Sequence, residues 1–243
     1  MNKFSAEIGD SGWNWIYKIG GVAALIAVLI FLLDIVLTFG GGNIRYGTLT
    51  AIDMFKLFQG NWLVGLRYLG FMNIISWTVS IPLFFALYAA HRRVFKPYAA
   101  LALILYLVGV AVYISNNAAI PIFVLSVKYA AATTDAQRTL LAAAGEAILA
   151  RGEDFTPGSF YGLFVTGIIG IVFSFIMLRG RIFSKATAYT GILGFLLLSI
   201  YIIWATFVAV LYDVAMIFGV VGGILSTAWY ILVARRLFQL SKA

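Results

Sequence analysis

Apolar positions fall in six runs, each long enough to cross a hydrocarbon layer of about 30 Å, which takes about 20 residues of helix. They extend from about Ile19 to Phe39, interrupted by Asp34; from Leu69 to Ala90, containing Pro82; and from Tyr98 to Ser115, with a continuation open past Asn116, Asn117 and Pro121. The remaining three run from about Ser159 to Leu178, Thr187 to Leu211 and Val214 to Ala234. The runs are continuous and lack the period-two alternation of barrel strands, so they predict helices. The expected fold class is all-α: an integral membrane six-helix bundle with amphipathic helices in its outer connections. It divides into an interfacial N-terminal segment 1–18, a six-span domain 19–236 and a tail 237–243.

Two connections carry a different pattern. The first opens with Gly40–Gly41–Gly42, a flexible turn. Ile52, Phe55, Phe58 and Trp62 then recur every three or four residues, with Asp53, Lys56 and Gln59 on another side. This predicts a short amphipathic helix in the outer interface. In the second, Thr134 is placed as an N-cap ahead of Asp135, and Leu140, Leu141, Ala144 and Ile148 form a stripe. The segment Gly152 to Pro157 ends that helix and starts the fourth span. This second connection reads either as a cap packed over the bundle or as a lid. Phe4, Trp13, Trp15 and Tyr17 make residues Asn2–Lys18 an interfacial anchor.

Composition supports the membrane reading: 63% of the 243 residues are hydrophobic and 11% charged, against about 25% charged in soluble domains. The net charge of +8 follows an alternation along the chain. Eleven of the 17 Lys and Arg residues lie in the N-terminal tail (Lys3, Lys18), the second-to-third turn (Arg92, Arg93, Lys96), the fourth-to-fifth turn (Arg179, Arg181, Lys185) and the C-terminal tail (Arg235, Arg236, Lys242). The other six (Arg45, Lys56, Arg67, Lys128, Arg138, Arg151) are spread over the much longer alternate connections. The positive-inside bias therefore places both termini in the cytoplasm. It also explains the basic residues without nucleic acid. His91, Arg92 and Arg93 are placed within reach of anionic headgroups. The first run is too long for a signal peptide and lacks a small-residue cleavage site.

Small residues spaced by four mark helix contacts. The fourth span has Gly158, Gly162, Thr166, Gly170 and Ser174; the sixth has Ala215, Gly219, Gly223 and Thr227; the third has Gly109 and Tyr113 leading to Asn117. Packing within one chain is the expected use. A second copy or another membrane protein is the alternative partner. No internal repeat of the transporter type is found.

Asp34 is the main ionisable residue at depth, and a charge there needs a cation, a donor or a proton. Arg67, near the outer end of the second span, is its candidate partner. Asn73 and Trp77 lie close to the same face of that span, Asn116 and Asn117 end the third, Tyr161 and Thr166 open the fourth, and Tyr201 and Trp204 approach from the fifth. These ten residues form the candidate outer site. Two readings stay open: a structural knot that fixes helix register, or a water-accessible cavity for a small polar or amphiphilic ligand. Membrane lipids are the remaining expected partner.

Catalytic motifs are absent. Without cysteine, and with His91 the single histidine, thiolate chemistry and multi-histidine metal sites are excluded. The sequence holds no P-loop, dinucleotide fingerprint, GxSxG elbow, mid-span lysine, channel-filter motif or arginine-striped span. No cofactor, metal or catalytic residue is expected. A non-enzymatic binding, sensory or accessory protein is the leading reading. A small transporter and a metal-free intramembrane enzyme acting through Asp34 or Asp213 are the alternatives.

Several stretches resemble a bacterial multi-pass membrane family catalogued as domain of unknown function 4386. They are Gly65–Leu66–Arg67, Ile81–Pro82–Leu83 with Ala86–Leu87–Tyr88, Tyr113 to Asn117, Tyr129 to Thr134, Ala143 to Ala147, and Trp229 to Leu237. The resemblance covers most of the chain from the first span onward. It implies a six-span protein of a bacterial inner membrane and brings no activity with it.

Overall fold

The protein is described here from a computed structural model covering residues 11–40 and 47–242. Arg45, Phe4, Lys3 and the glycine turn at 41–42 lie outside the described residues. Among the described residues the secondary structure is helical, with no strand. The helices are α1 (Ser11–Gly40), α2 (Ala51–Gly60), α3 (Trp62–Tyr68), α4 (Phe71–Val79), α5 (Ile81–His91), α6 (Lys96–Asn116), α7 (Ala119–Ala131), α8 (Asp135–Gly152), α9 (Pro157–Gly180), α10 (Lys185–Phe207) and α11 (Tyr212–Leu240).

Six of these units are long and apolar enough to cross a membrane, and the chain is a multi-pass membrane protein. The spans are α1, α4 with α5, α6, α9, α10 and α11. They form a closed ring: each packs on its neighbour in sequence, and α11 returns to α1. The second span is split into two helices at Ser80, two residues before Pro82. Pro82 lacks the N–H that would reach Thr78, so the helix is interrupted at Ser80, whose own N–H still donates to Ser76 O at 3.0 Å. The helix of the third span ends at Asn116, although the apolar stretch runs on through a second helix to Ala131. Asn117 adopts ψ 134°, and its Oδ1 accepts the Ala119 N–H at 2.9 Å, starting α7 in a new direction.

The small-residue stripes are used within the chain. A Cβ on Gly162 would lie 2.7 Å from Tyr113 Cβ on α6, and one on Gly170 2.5 Å from the Phe195 ring on α10. α9 therefore approaches both neighbours at backbone distance. Between the spans sits an aromatic core: Phe84 stacks on Tyr106 at 3.8 Å and meets Phe173 at 5.5 Å, while Trp229 stands edge-on to Phe195 at 5.1 Å. The outward sides, such as Leu29, Val36, Ile104 and Ile224, are exposed apolar residues suited to lipid.

The connections at one end of the ring build a second layer. α2, α3, α7 and α8 pack on one another over their own core of Met54, Phe55, Phe58, Tyr68, Leu69, Ala118, Ile122 and Leu149. We call this layer the cap. Its caps and ties are polar. Thr50 and Asp53 form a capping box at α2, and Thr134 caps α8 by accepting the Gln137 N–H at 3.2 Å. Glu146 accepts the Ala51 N–H and Glu153 the Gly47 N–H, each at 2.7 Å. Two carboxylates of the second long connection thus hold the start of the first.

The expected α2 stripe holds at Phe55 and Phe58 and fails at Ile52 and Trp62, and the α8 face lies one position off its expected stripe. On α2 the buried residues are Ala51, Met54, Phe55 and Phe58, whereas Ile52 and Trp62 are exposed. On α8 they are Gly145, Leu149 and Gly152, and Leu140 is 72% exposed. A Cβ on Gly145 would lie 2.7 Å from Ala51 Cβ, so the two helices touch through their smallest residues. The α2 face is accordingly spent on protein.

At the opposite end lie the short basic turns. Arg92 sits 3.9 Å over the Trp13 ring, Trp13 packs on Phe85, and Arg236 Nε donates to Ile182 O at 2.8 Å. Of the aromatic anchor, Tyr17 is buried and Trp15 is exposed.

Candidate functional site

The expected ion pair is present. Arg67, in the last turn of α3, donates from Nε to Asp34 Oδ1 of α1 at 3.3 Å, with the arginine side chain 10% and the aspartate 32% exposed. A carboxylate on an apolar helix is held by a cation from the cap, so this pair ties the first span to the second layer.

Beside it lies an acid that is not among the ten candidates. Asp154 is 1% exposed, in the short connection between α8 and α9. Its Oδ1 accepts from the Tyr113 hydroxyl at 2.5 Å and its Oδ2 from Asn73 Nδ2 at 3.0 Å. Tyr113 comes from α6 and Asn73 from the first turn of α4, so Asp154 joins the cap connection to two spans. Gly70 makes room. It is left-handed at φ +76°, and a Cβ there would run into Tyr113 Oη and Asp154 Oδ2. Its carbonyl faces the Tyr113 hydroxyl at 3.3 Å.

The asparagines divide. Asn117 Nδ2 donates to Leu69 O at 2.7 Å and approaches Tyr113 Oη at 3.4 Å, inside the same network. Asn116 turns the other way: its Oδ1 accepts both Nε and Nη2 of Arg151, at 3.1 and 2.9 Å. The Trp77 ring lies 4.4 Å from the Tyr113 ring, and its carbonyl accepts the Tyr106 hydroxyl at 2.8 Å. Tyr201 packs on Phe155 at 4.9 Å, next in sequence to Asp154.

Three candidates are placed elsewhere. Tyr161 is 51% exposed on the outer side of α9. Thr166 Oγ1 donates within its own helix, to Leu163 O at 2.9 Å, while its methyl group packs at Gly109. Trp204 stands edge-on to Phe218 of α11 at 5.3 Å. The ten candidates therefore split into a central group of Asp34, Arg67, Asn73, Trp77 and Asn117, a flanking group of Asn116 and Tyr201, and these three.

The electrostatics of the junction are set by carboxylates. Burial pushes Asp154 up to about 7; the Tyr113 and Asn73 hydrogen bonds pull it down, and the charges of Asp34 and Glu153 push it up further. Glu153 is also raised, chiefly by burial, against hydrogen bonds from the Gly47 amide and Tyr68. Among the described residues no group of three or more metal-ligating side chains is arranged to hold an ion. The one signal in the sequence that pointed to Asp154 was its place: two consecutive acids in a break of four residues between a helix of the cap and a span.

Searches against protein-family models, curated proteins and solved structures found no match to this chain.

Proposed function

We propose that this is a non-enzymatic protein of a bacterial inner membrane, a member of the family it resembles. In this reading its termini are cytoplasmic and its cap faces outward. It binds a small polar or amphiphilic ligand beside Asp34 and Arg67, as a sensory or accessory component. The observation that carries the reading is the asymmetry of the bundle. Polar side chains gather at the cap end, while the other half is filled by the stacked rings of Phe84, Tyr106, Phe173 and Trp229. A ligand can reach a polar group from the cap side, and a path through the molecule would have to part that aromatic core. This favours binding over transport. The Asp34–Arg67 pair offers both signs of charge, which suits a zwitterionic headgroup or a small amino acid-like solute.

The test is to purify the wild type and the neutral pair Asp34→Asn with Arg67→Gln from the same membranes and compare the small molecules that co-purify by mass spectrometry. The expected result is a charged or zwitterionic species present in the wild type and reduced at least about tenfold in the variant. Equal amounts in both, or none in either, would contradict it. Solute flux into proteoliposomes that the neutral pair abolishes would move the assignment to a transporter.

A further inference from the structure

We propose that Asp154 is a proton-binding site that latches the cap onto the bundle: the latch holds while the carboxyl carries its proton and loosens when the proton leaves. Protons in this cluster can be counted. The Tyr113 hydroxyl has one, and two acceptors face it, Asp154 Oδ1 at 2.5 Å and Gly70 O at 3.3 Å. With Asp154 ionised, that proton goes to the carboxylate and Gly70 O keeps only its backbone donors, the amides of Asn73 and Ile74. With a proton on Oδ1, the carboxyl donates to Tyr113 Oη, Tyr113 donates to Gly70 O, and Asn73 donates to Oδ2 as before. Every polar atom in the chain then has a role, and the chain runs from the α8–α9 connection through α6 to the start of α4.

The neighbouring acids Asp34 and Glu153 act in the same direction. From α1 comes Asp34, already held by Arg67 of α3 at 3.3 Å. In its own connection Asp154 adjoins Glu153, whose Oε1 accepts the Gly47 amide at 2.7 Å and which also receives a hydrogen bond from Tyr68 of α3. Further along α8 stand Glu146, on the Ala51 amide, and Arg151, engaged with Asn116. α4 and α6 contribute the neutral Asn73, Tyr113 and Asn117, and α10 contributes Tyr201 on Phe155. Among the described residues no cation pairs with Asp154, so none of them directly offsets the charge its ionisation adds. Burial first, with the charges of Asp34 and Glu153 added and the Tyr113 and Asn73 hydrogen bonds opposing, lifts the group to about 7. A raised acid contributes stability that is complete below the ordinary carboxylate range and is lost as pH rises through about 7. The joint is built to give: Phe155, the next residue, is itself left-handed at φ 60°, and the backbone leaves helix from Glu153 to Thr156. The latch does not depend on what binds beside Asp34 and Arg67.

The test is hydrogen exchange on the full chain in lipid nanodiscs, between about pH 5 and about pH 9, corrected for intrinsic exchange. The expected result is that α2, α7 and α8 open at least about tenfold more often at high pH, with a midpoint near 7 and the spans unchanged. Asp154→Asn supplies an amide that donates to Tyr113 and accepts from Asn73, so its cap stays protected at every pH. Glu153→Gln keeps the dependence. Should Asp154→Asn not fold, infrared difference spectra of the wild type over the same range must show a protonated-carboxyl band disappearing with the same midpoint. A wild-type cap whose protection ignores pH, an Asp154→Asn cap that titrates like the wild type, or a dependence abolished by Glu153→Gln alone would overturn the proposal.

Discussion

Two glycines with the same backbone show what the junction demands of single residues. Gly47 and Gly70 have φ of +73° and +76°, but nothing lies near a Cβ on Gly47, whereas one on Gly70 would enter the space of Tyr113 and Asp154. Gly47→Ala should cost only the left-handed backbone penalty, about 1 kcal/mol. Gly70→Ala should cost at least about 3 kcal/mol, because strain and overpacking add. Unfolding in mixed detergent micelles measures both. This scale also shows why one charge was legible in the sequence and another was not. Asp34 interrupts an apolar run, so lipid itself requires a partner, and Arg67, near the outer end of the next span, was the candidate. Asp154 stands between helices, where an acid ordinarily meets water. Its burial depends on Tyr113, Asn73 and Gly70, which arrive from 41, 81 and 84 positions away or reach it only through the fold of the ring.

At the scale of elements, the cap is a small folded layer with its own core and its own start signals. Phe55 is fully buried there, and Leu140 is 72% exposed. Phe55→Ala should destabilise the cap by about 3–5 kcal/mol, and Leu140→Ala should fall within about 0.5 kcal/mol of wild type. Exchange protection in α2, α7 and α8 separates the two. Thr50→Ala breaks the capping box and should cost about 1 kcal/mol. Asp53 in that box is held below the usual carboxylate range, first by the Thr50 side chain and then by its amide. A lowered acid contributes stability that is present above the ordinary range and lost as pH falls through its folded value. Acid should therefore fray α2 in the wild type, and Thr50→Ala should remove most of that acid sensitivity. Existence and type of α2 and α8 were legible from period and caps, Thr134 included, whereas α3 and α7 as separate helices were not. Their phase was legible only in part, at Phe55 and Phe58. A stripe read from the largest apolar residues selects Ile52, Trp62 and Leu140, but helices in close contact touch through Ala51, Gly145 and Gly152, which a hydrophobic pattern scarcely weighs.

For the whole molecule, six spans close into a ring because each turn is short at one end, and the long connections at the other end have room to fold into a layer of their own. That division was visible in the sequence as four compact basic segments alternating with connections, two of them long, in which basic and acidic residues balance. It rests on backbone energetics in lipid and on aromatic filling of one half, both of which follow from composition and periodicity. What composition could not supply was the joint between layers, since it is made by single polar atoms from five distant segments. The account stands on the cap and the two chain ends lying on opposite sides of the membrane. The chain has no native cysteine, so Leu140→Cys on the cap and Lys242→Cys at the tail each give a clean reporter for a membrane-impermeant maleimide on intact cells. The account predicts labelling of the first from outside and of the second only after the membrane is opened; labelling of both from the same side would contradict it.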